Sequence, residues 1–382
     1  MDPVYLDYAA TTPLRREARE AMLPFWEERF GNPSSVHRWG REARAALEEA
    51  RARLAAVIGA SPGEVFFTRG GTESDNLGVL GRARAAPGRP VVCSAVEHKG
   101  VLAAAKAAKA EGSPLRLLPV DRHGQVREEE LPPLLAESPA VVSVMWANNE
   151  VGAVQPVERL AERCREAGVP FHTDAVQALG KLPVRVDRFP VSLLSLSAHK
   201  FGGPKGVGAL FARRGAELSP LLHGGGQERG LRPGTEDVAG AVGMALAAEL
   251  AEREREAEMA RLGALRDRLE ALLRASVPEL VVNAAGAARL PTLLNVSAPG
   301  VESEMLLPAL DVEGIAASSG SACTSGAVDP SHVLTAMGLP AELAGPSVRF
   351  SLGRGTTEAD VERGAAAFAA VVERLRAFLT TV

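Results

Sequence analysis

Between about residues 41 and 275, short apolar runs alternate with longer amphipathic ones, and few architectures accept that rhythm. The apolar runs are VFFT (65–68), PVVCSA (90–95), PAVVSVMWA (139–147), VPFHTDA (169–175), VSLLSLSA (191–198) and VGALFA (207–212). They are short, largely β-branched or aliphatic, and bounded by turn residues, so each predicts a strand. Segments such as REARAALEEARARLAAVIG and VERLAERCREAG lie among them with apolar residues at helical spacing. Strands and helices in this alternation build an α/β layered domain around a largely parallel sheet.

From about residue 240 to 275 the chain holds one long helical pattern, apolar at first and densely charged in its middle. The charged middle breaks any apolar heptad, which predicts a solvated helix linking two domains. Beyond it, TLLNVSA (292–298), GIAASSG (314–320) and SVRFSLG (347–353) predict the strands of a smaller α+β domain. The expected division gives residues 14–250 to the large domain, and residues 1–13 with 251–382 to the small one.

A net charge of -4 supplies no broad positive field, so neither nucleic acid nor anionic lipid is an expected partner. MDPVYLDYAATTPL has no basic start followed by an apolar run, and no stretch approaches the roughly 18 apolar residues of a membrane span. A cytoplasmic protein is expected. Cys93, Cys164 and Cys323 lie far apart without CxxC spacing, which predicts free thiols rather than disulfides or a zinc site. Only six lysines stand against 37 arginines, so few amines compete for a role that needs one.

The run VSLLSLSAHKFGGPKGVGALF (191–211) carries the strongest chemical signal. An apolar strand leads straight into Ser197, His199 and Lys200, at the strand end where open α/β sheets hold ligands. A partly desolvated lysine there can bond a carbonyl carbon; Lys205 sits in the turn GGPKG without flanking donors. Asp174 ends VPFHTDA in the same layer, either as a helix cap or as an acid facing a ligand's ring nitrogen, with Gln177 three residues on. VFFT leads into RGGTES, where Gly70, Gly71 and Thr72 open a helix whose free N–H groups suit a phosphate; a capping box would read similarly. His98 in SAVEHKG, and Asn148 and Asn149 in WANNEVG, follow further strands and suit ring stacking, proton transfer or a polar contact. Arg349 in SVRFSLG suits a substrate carboxylate or a structural ion pair. Cys323 lies in ASSGSACTSGAVDP, small and polar throughout, where a loop is expected.

Ten segments in order carry a resemblance: YLDYAATTP, GNPSSVHRWG, TRGGTESDNL, EHKGVL, NNEVGAVQP, HTDAVQALG, SLSAHKFGGPKGVG, GGGQERGLRPGTED, SSGSACTSG and VRFSLGRGTT. Together they resemble the cysteine desulfurases of the NifS/IscS type, in the class V aminotransferase group. The resemblance implies a fold-type I transferase dependent on pyridoxal 5'-phosphate, with a mainly parallel seven-stranded sheet in the large domain. It makes Lys200 the cofactor-carrying lysine, Asp174 the partner of the ring nitrogen, and Gln177 and Asn149 neighbours of the ring oxygen. His98 would stack on the ring and act in catalysis, while Gly71, Thr72, Ser197 and His199 would hold the phosphate. Thr235 would reach the phosphate of a neighbouring subunit, which implies a homodimer. Asn149 and Arg349 would bind the substrate, L-cysteine, and Cys323 would take its sulfur. A scaffold protein of the IscU type is an implied acceptor, although the chain stops soon after VVERLRAFLTTV, where scaffold-docking relatives carry an extension.

Overall fold

The computed structural model describes residues 2–301, 303–319 and 331–380. The six strands expected between residues 65 and 212 all form, and a seventh, Leu115–Leu118, joins them at one edge. In sheet order they are Val65–Thr68, Gly208–Ala212, Leu193–Ser197, Phe171–Asp174, Val141–Ser143, Val91–Ser94 and Leu115–Leu118. Six share one direction, and Gly208–Ala212 runs against both its neighbours. The inner strands are buried on both faces because helices cover both. The edge strand escapes the sequence pattern because LRLL alternates too briefly and leaves Leu117 exposed.

The long helix, Val238–Ser276, is one unbroken element of 39 residues, about 58 Å at 1.5 Å per residue. It links the two cores, as expected, but is solvated only in part. Ala241, Met244, Ala245 and Ala248 are buried in the large core, and Leu262, Leu269 and Leu273 in the small one. Its charged middle is tied by ion pairs: Arg255 with Glu252, Arg261 with Glu258, and Glu254 with Arg15. Among the described residues, no helix is long and apolar enough to cross a membrane.

The second core gathers around an antiparallel sheet of Val281–Val282, Leu293–Ser297 and Ser347–Ser351. Beside it, Val4–Tyr5 pairs in parallel with Ile315–Ala316, so the chain's opening residues close the small sheet region. Val333, Leu334, Met337 and Ala344 pack instead into the large core. From Leu6 onward the N-terminal segment crosses between the two: Ala9 N–H donates to Ser351 Oγ (2.8 Å), Thr12 N–H to the His199 carbonyl (3.0 Å) and Arg15 N–H to the Gly202 carbonyl (2.8 Å).

A buried ion pair fixes the strand that leads to the Gly70–Gly71 turn. Arg51 gives two hydrogen bonds to Glu228, both 2.7 Å, and a third to the Val65 carbonyl, while Glu228 also accepts from Phe67 N–H (3.0 Å). Both side chains are almost fully buried, at 3% and 2% exposure. Arg51→Ala should strand Glu228 in the interior and cost about 3–5 kcal/mol, read as a fall in the urea midpoint. Breaking the exposed Arg16–Glu20 pair by Arg16→Ala should leave the midpoint unchanged.

Candidate active site

The carboxyl ends of the parallel strands open on a cavity of about 320 Å³. Ten of the expected residues line it: Gly71, Thr72, His98, Asn149, Asp174, Gln177, Ser197, His199, Lys200 and Arg349. Lys200 follows Leu193–Ser197 through one tight turn, Ala198–Lys200, and its Nζ donates to the carbonyls of Ala9 (2.6 Å) and Ala10 (2.8 Å). Lys205 is exposed and lies outside the cavity. Asp174 is 5% exposed and accepts Val176 N–H at Oδ1 (2.9 Å). Burial raises its pKa, against the pull of His98 and Lys200.

At one side the helix beginning Gly71–Asn76 points its N-terminus at the cavity. Gly70 has φ 137°, a conformation that only glycine adopts cheaply. A Cβ on Gly71 would lie 2.9 Å from Val176 Cγ2 and 3.4 Å from Ser197 Cβ. Among the described residues no side chain caps this N-terminus, so the capping-box alternative fails. Ser197 and His199 stand on the same wall. His199 bonds Thr11 Oγ1 (3.1 Å), and burial pushes its pKa down to about 4, which keeps the ring neutral at pH 7.

His98 caps the helix Lys99–Ala110, its Nδ1 accepting Gly100 N–H at 3.0 Å, and burial lowers its pKa. The paired asparagines divide. Asn148 is fully buried and structural, with Nδ2 on the Val96 carbonyl (2.9 Å) and Oδ1 on the N–H groups of Glu150 (2.8 Å) and Val151 (2.9 Å). Asn149 faces the cavity. Arg349 reaches the Asn149 carbonyl (2.9 Å) and Asp7 Oδ1 (2.6 Å), and its buried Nε has no hydrogen-bond partner among the described residues.

Thr235 lies on an exposed loop outside the cavity. Cys323 falls outside the described residues, but the residues flanking its segment stand beside the site. Ser318 exchanges main-chain hydrogen bonds with Arg349 (3.2 and 2.6 Å), and Ser331 donates from Oγ to Glu150, next to Asn149. Sequence reasoning missed Ala9 and Ala10, whose carbonyls leave no mark in a side-chain pattern. It also missed Asp75, which lines the cavity at 1% exposure and has Oδ1 3.8 Å from His172 Nε2. The signal for Asp75 was available, since it lies four residues after Gly71, on the same helical face.

The lining suits a ligand with three chemical parts. The helix N-terminus with Ser197 calls for a phosphate, the buried Asp174 carboxylate for a basic ring nitrogen, and the Lys200 amine for a carbonyl. Pyridoxal phosphate carries all three, and the buried Arg349 Nε, with no hydrogen-bond partner among the described residues, has a donor left over for a ligand. Fold and site together define a pyridoxal-phosphate enzyme of fold-type I.

Residues 4–363 match the family model described as aminotransferase class-V, and the chain belongs to that family. It is 47% identical to cysteine desulfurase IscS of Dictyoglomus turgidum, over 98% of this chain and 95% of that one. It is 46% identical to cysteine desulfurase NifS of Azotobacter vinelandii, over 98% and 94%. Among solved structures, a NifS-like protein superposes with a TM-score of 0.89 at 37% identity, over the whole of both chains.

Glu97, the residue before His98, is fully buried and accepts Ser94 Oγ (2.6 Å) and Met145 N–H (2.7 Å) at one oxygen. Burial pushes its pKa from 4.5 up to about 8. Between those values the folded state keeps a proton that the unfolded state has released, so stability falls as pH rises. Glu97→Gln should remove that loss. The melting temperature of the variant minus that of the parent should grow from pH 4.5 to 8 and level off above, followed by circular dichroism.

Proposed function

We propose that this chain is a cysteine desulfurase that takes the sulfur of L-cysteine onto Cys323, releases L-alanine and passes the sulfur to an acceptor in iron–sulfur cluster or related biosynthesis. The observation that carries the reading is one cavity lined by Lys200, Asp174 and Arg349, with Ser318 bonded to Arg349 and Ser331 bonded to Glu150, the residue after Asn149. Cys323 is four residues beyond Ser319, within roughly 14 Å of extended chain. The names IscS and NifS borne by the relatives support the same activity.

When bound, pyridoxal phosphate supplies the electron sink on which bond cleavage beside the amino-bearing carbon depends. Asp174 would hold the proton on its ring nitrogen, and Gly71, Thr72, Ser197 and His199 would hold its phosphate. Gln177 and Asn149 would contact the ring oxygen, and His98, kept neutral by burial, the ring face. Lys200 would carry the cofactor, and its amine would take the proton from the substrate α-carbon. Arg349 would hold the substrate carboxylate through its unused Nε and one terminal nitrogen. The Cys323 thiolate attacks the substrate sulfur: an S–S bond forms, the carbon–sulfur bond breaks, and alanine leaves once its β-carbon is protonated.

The same reading gives residues 14–250 to the cofactor domain, and residues 1–13 with 251–382 to the domain that brings Cys323. Exposure of Thr235 away from its own cavity supports a homodimer in which it reaches the partner's phosphate. Cys93 and Cys164 are buried free thiols, as suits the cytoplasm. A scaffold of the IscU type is the proposed class of acceptor.

Cys323→Ser should keep the visible band of the bound cofactor and yet release no sulfide from cysteine. Sulfide release by that variant would remove Cys323 from the reaction. Lys200→Ala should lose the band itself, and an unchanged spectrum would refute its assignment.

A further inference from the structure

Behind the cofactor cavity lies a second and larger one, of about 430 Å³, between the N-terminal segment and the long helix. Its lining includes neither Asp174 nor the Gly71–Thr72 turn, so it is not the cofactor site. Lys200 belongs to both cavities, and Lys181 to the second alone. Lys181 has no part in the reading above, yet its amine is turned toward the site. Its Nζ donates to Gln177 twice, at the main-chain carbonyl and at Oε1, both 3.1 Å. Gln177 in turn donates from Nε2 to the Ala9 carbonyl (2.9 Å), which also accepts from Lys200.

These contacts decide which end of the Gln177 amide does what. Ala9 offers only an acceptor, and Lys181 offers only N–H groups in this arrangement, so Oε1 is claimed on one side and one Nε2 hydrogen on the other. The hydrogen left over is the second on Nε2. A ligand ring oxygen beside Gln177 needs a donor, and a flipped amide would present an oxygen to it. Burial pushes the Lys181 pKa down to about 7. Protonated or neutral, the amine keeps the two N–H groups that Gln177 accepts.

We propose that Lys181 is a positioning residue, which locks the Gln177 amide with its nitrogen available to the cofactor's ring oxygen. This rests on the placement of Gln177 beside that oxygen. Lys181→Met keeps most of the stem and removes the donors and the buried charge, so the fold should persist. The holoenzyme of this variant should lose its cofactor on gel filtration about tenfold faster, the worth of one lost hydrogen bond to a charged group. Its visible band should shift, and Lys181→Arg, which keeps donors, should restore both. Gln177→Ala should show the same two changes, and adding Lys181→Met to it should change nothing further. Additive effects, or a Lys181→Met holoenzyme with the parent's band and retention, would overturn the proposal while leaving the site reading intact. A Gln177→Ala holoenzyme indistinguishable from the parent would instead overturn the placement of Gln177, and this proposal with it.

Discussion

A carboxylate buried at the end of a strand must find a positive charge or give up its own, and Asp174 sets that condition for this molecule. Burial raises its pKa, and the two neighbours that pull it back, His98 and Lys200, come from the ends of two other strands. Asp75 and Glu97 also lie buried nearby, each with a pKa raised first by burial and further by the charge of Asp174. Three buried carboxylates that raise one another's pKa values do not all ionise together. Ionisation is therefore cheapest at Asp174, where the basic groups are. A cationic ring nitrogen would meet one counter-charge there rather than three.

The residues behind the cavity keep that distribution in place. His172, in the strand that ends in Asp174, is fully buried and neutral, its pKa pushed down to about 3. Its ring nitrogens bond Ser143 Oγ (2.8 Å) and Ser195 Oγ (2.9 Å), one on each adjacent strand. Gly78 lies so close that a Cβ would sit 2.6 Å from the imidazole. The helix that starts at the Gly70–Gly71 turn makes its π turn, Leu77–Gly81, at this point. Close helix packing and a satisfied polar chain through the sheet are thus one arrangement, set behind the cavity that Asp174 and Gly71 line.

Much of this was legible in the sequence because the sheet converts chain order into position. Lys200, Asp174, Gly71, His98 and Asn149 each follow an apolar run, and parallel strands bring such positions to one edge whatever their separation in sequence. Features without a periodic or side-chain signature were not legible. The Ala9 and Ala10 carbonyls belong to residues with no polar group to notice. The division of labour between Asn148 and Asn149 depends on which side chain the turn faces inward, and adjacent identical residues hide that. The long helix reads as solvated from its charges, although the apolar residues at both ends belong to two different cores. Cys323 lies outside the described residues, and nothing in its local pattern distinguishes a reactive thiol from an incidental one.

The N-terminal segment joins these two kinds of information. Val4 and Tyr5 belong to the small sheet region, Ala9 to Arg15 bond the turns around Lys200, and between them Asp7 pairs with Arg349. The segment therefore touches both the proposed proton-transferring amine and the proposed carboxylate-binding arginine. A carboxylate bound at Arg349, as proposed, would compete with Asp7 for the same guanidinium. At the other end, an amine that collects a proton becomes an ammonium with three hydrogens to place. The Ala9 and Ala10 carbonyls, 2.6 and 2.8 Å from Nζ, are two acceptors already in position. One short stretch between two elements thus holds hydrogen bonds to both Arg349 and Lys200.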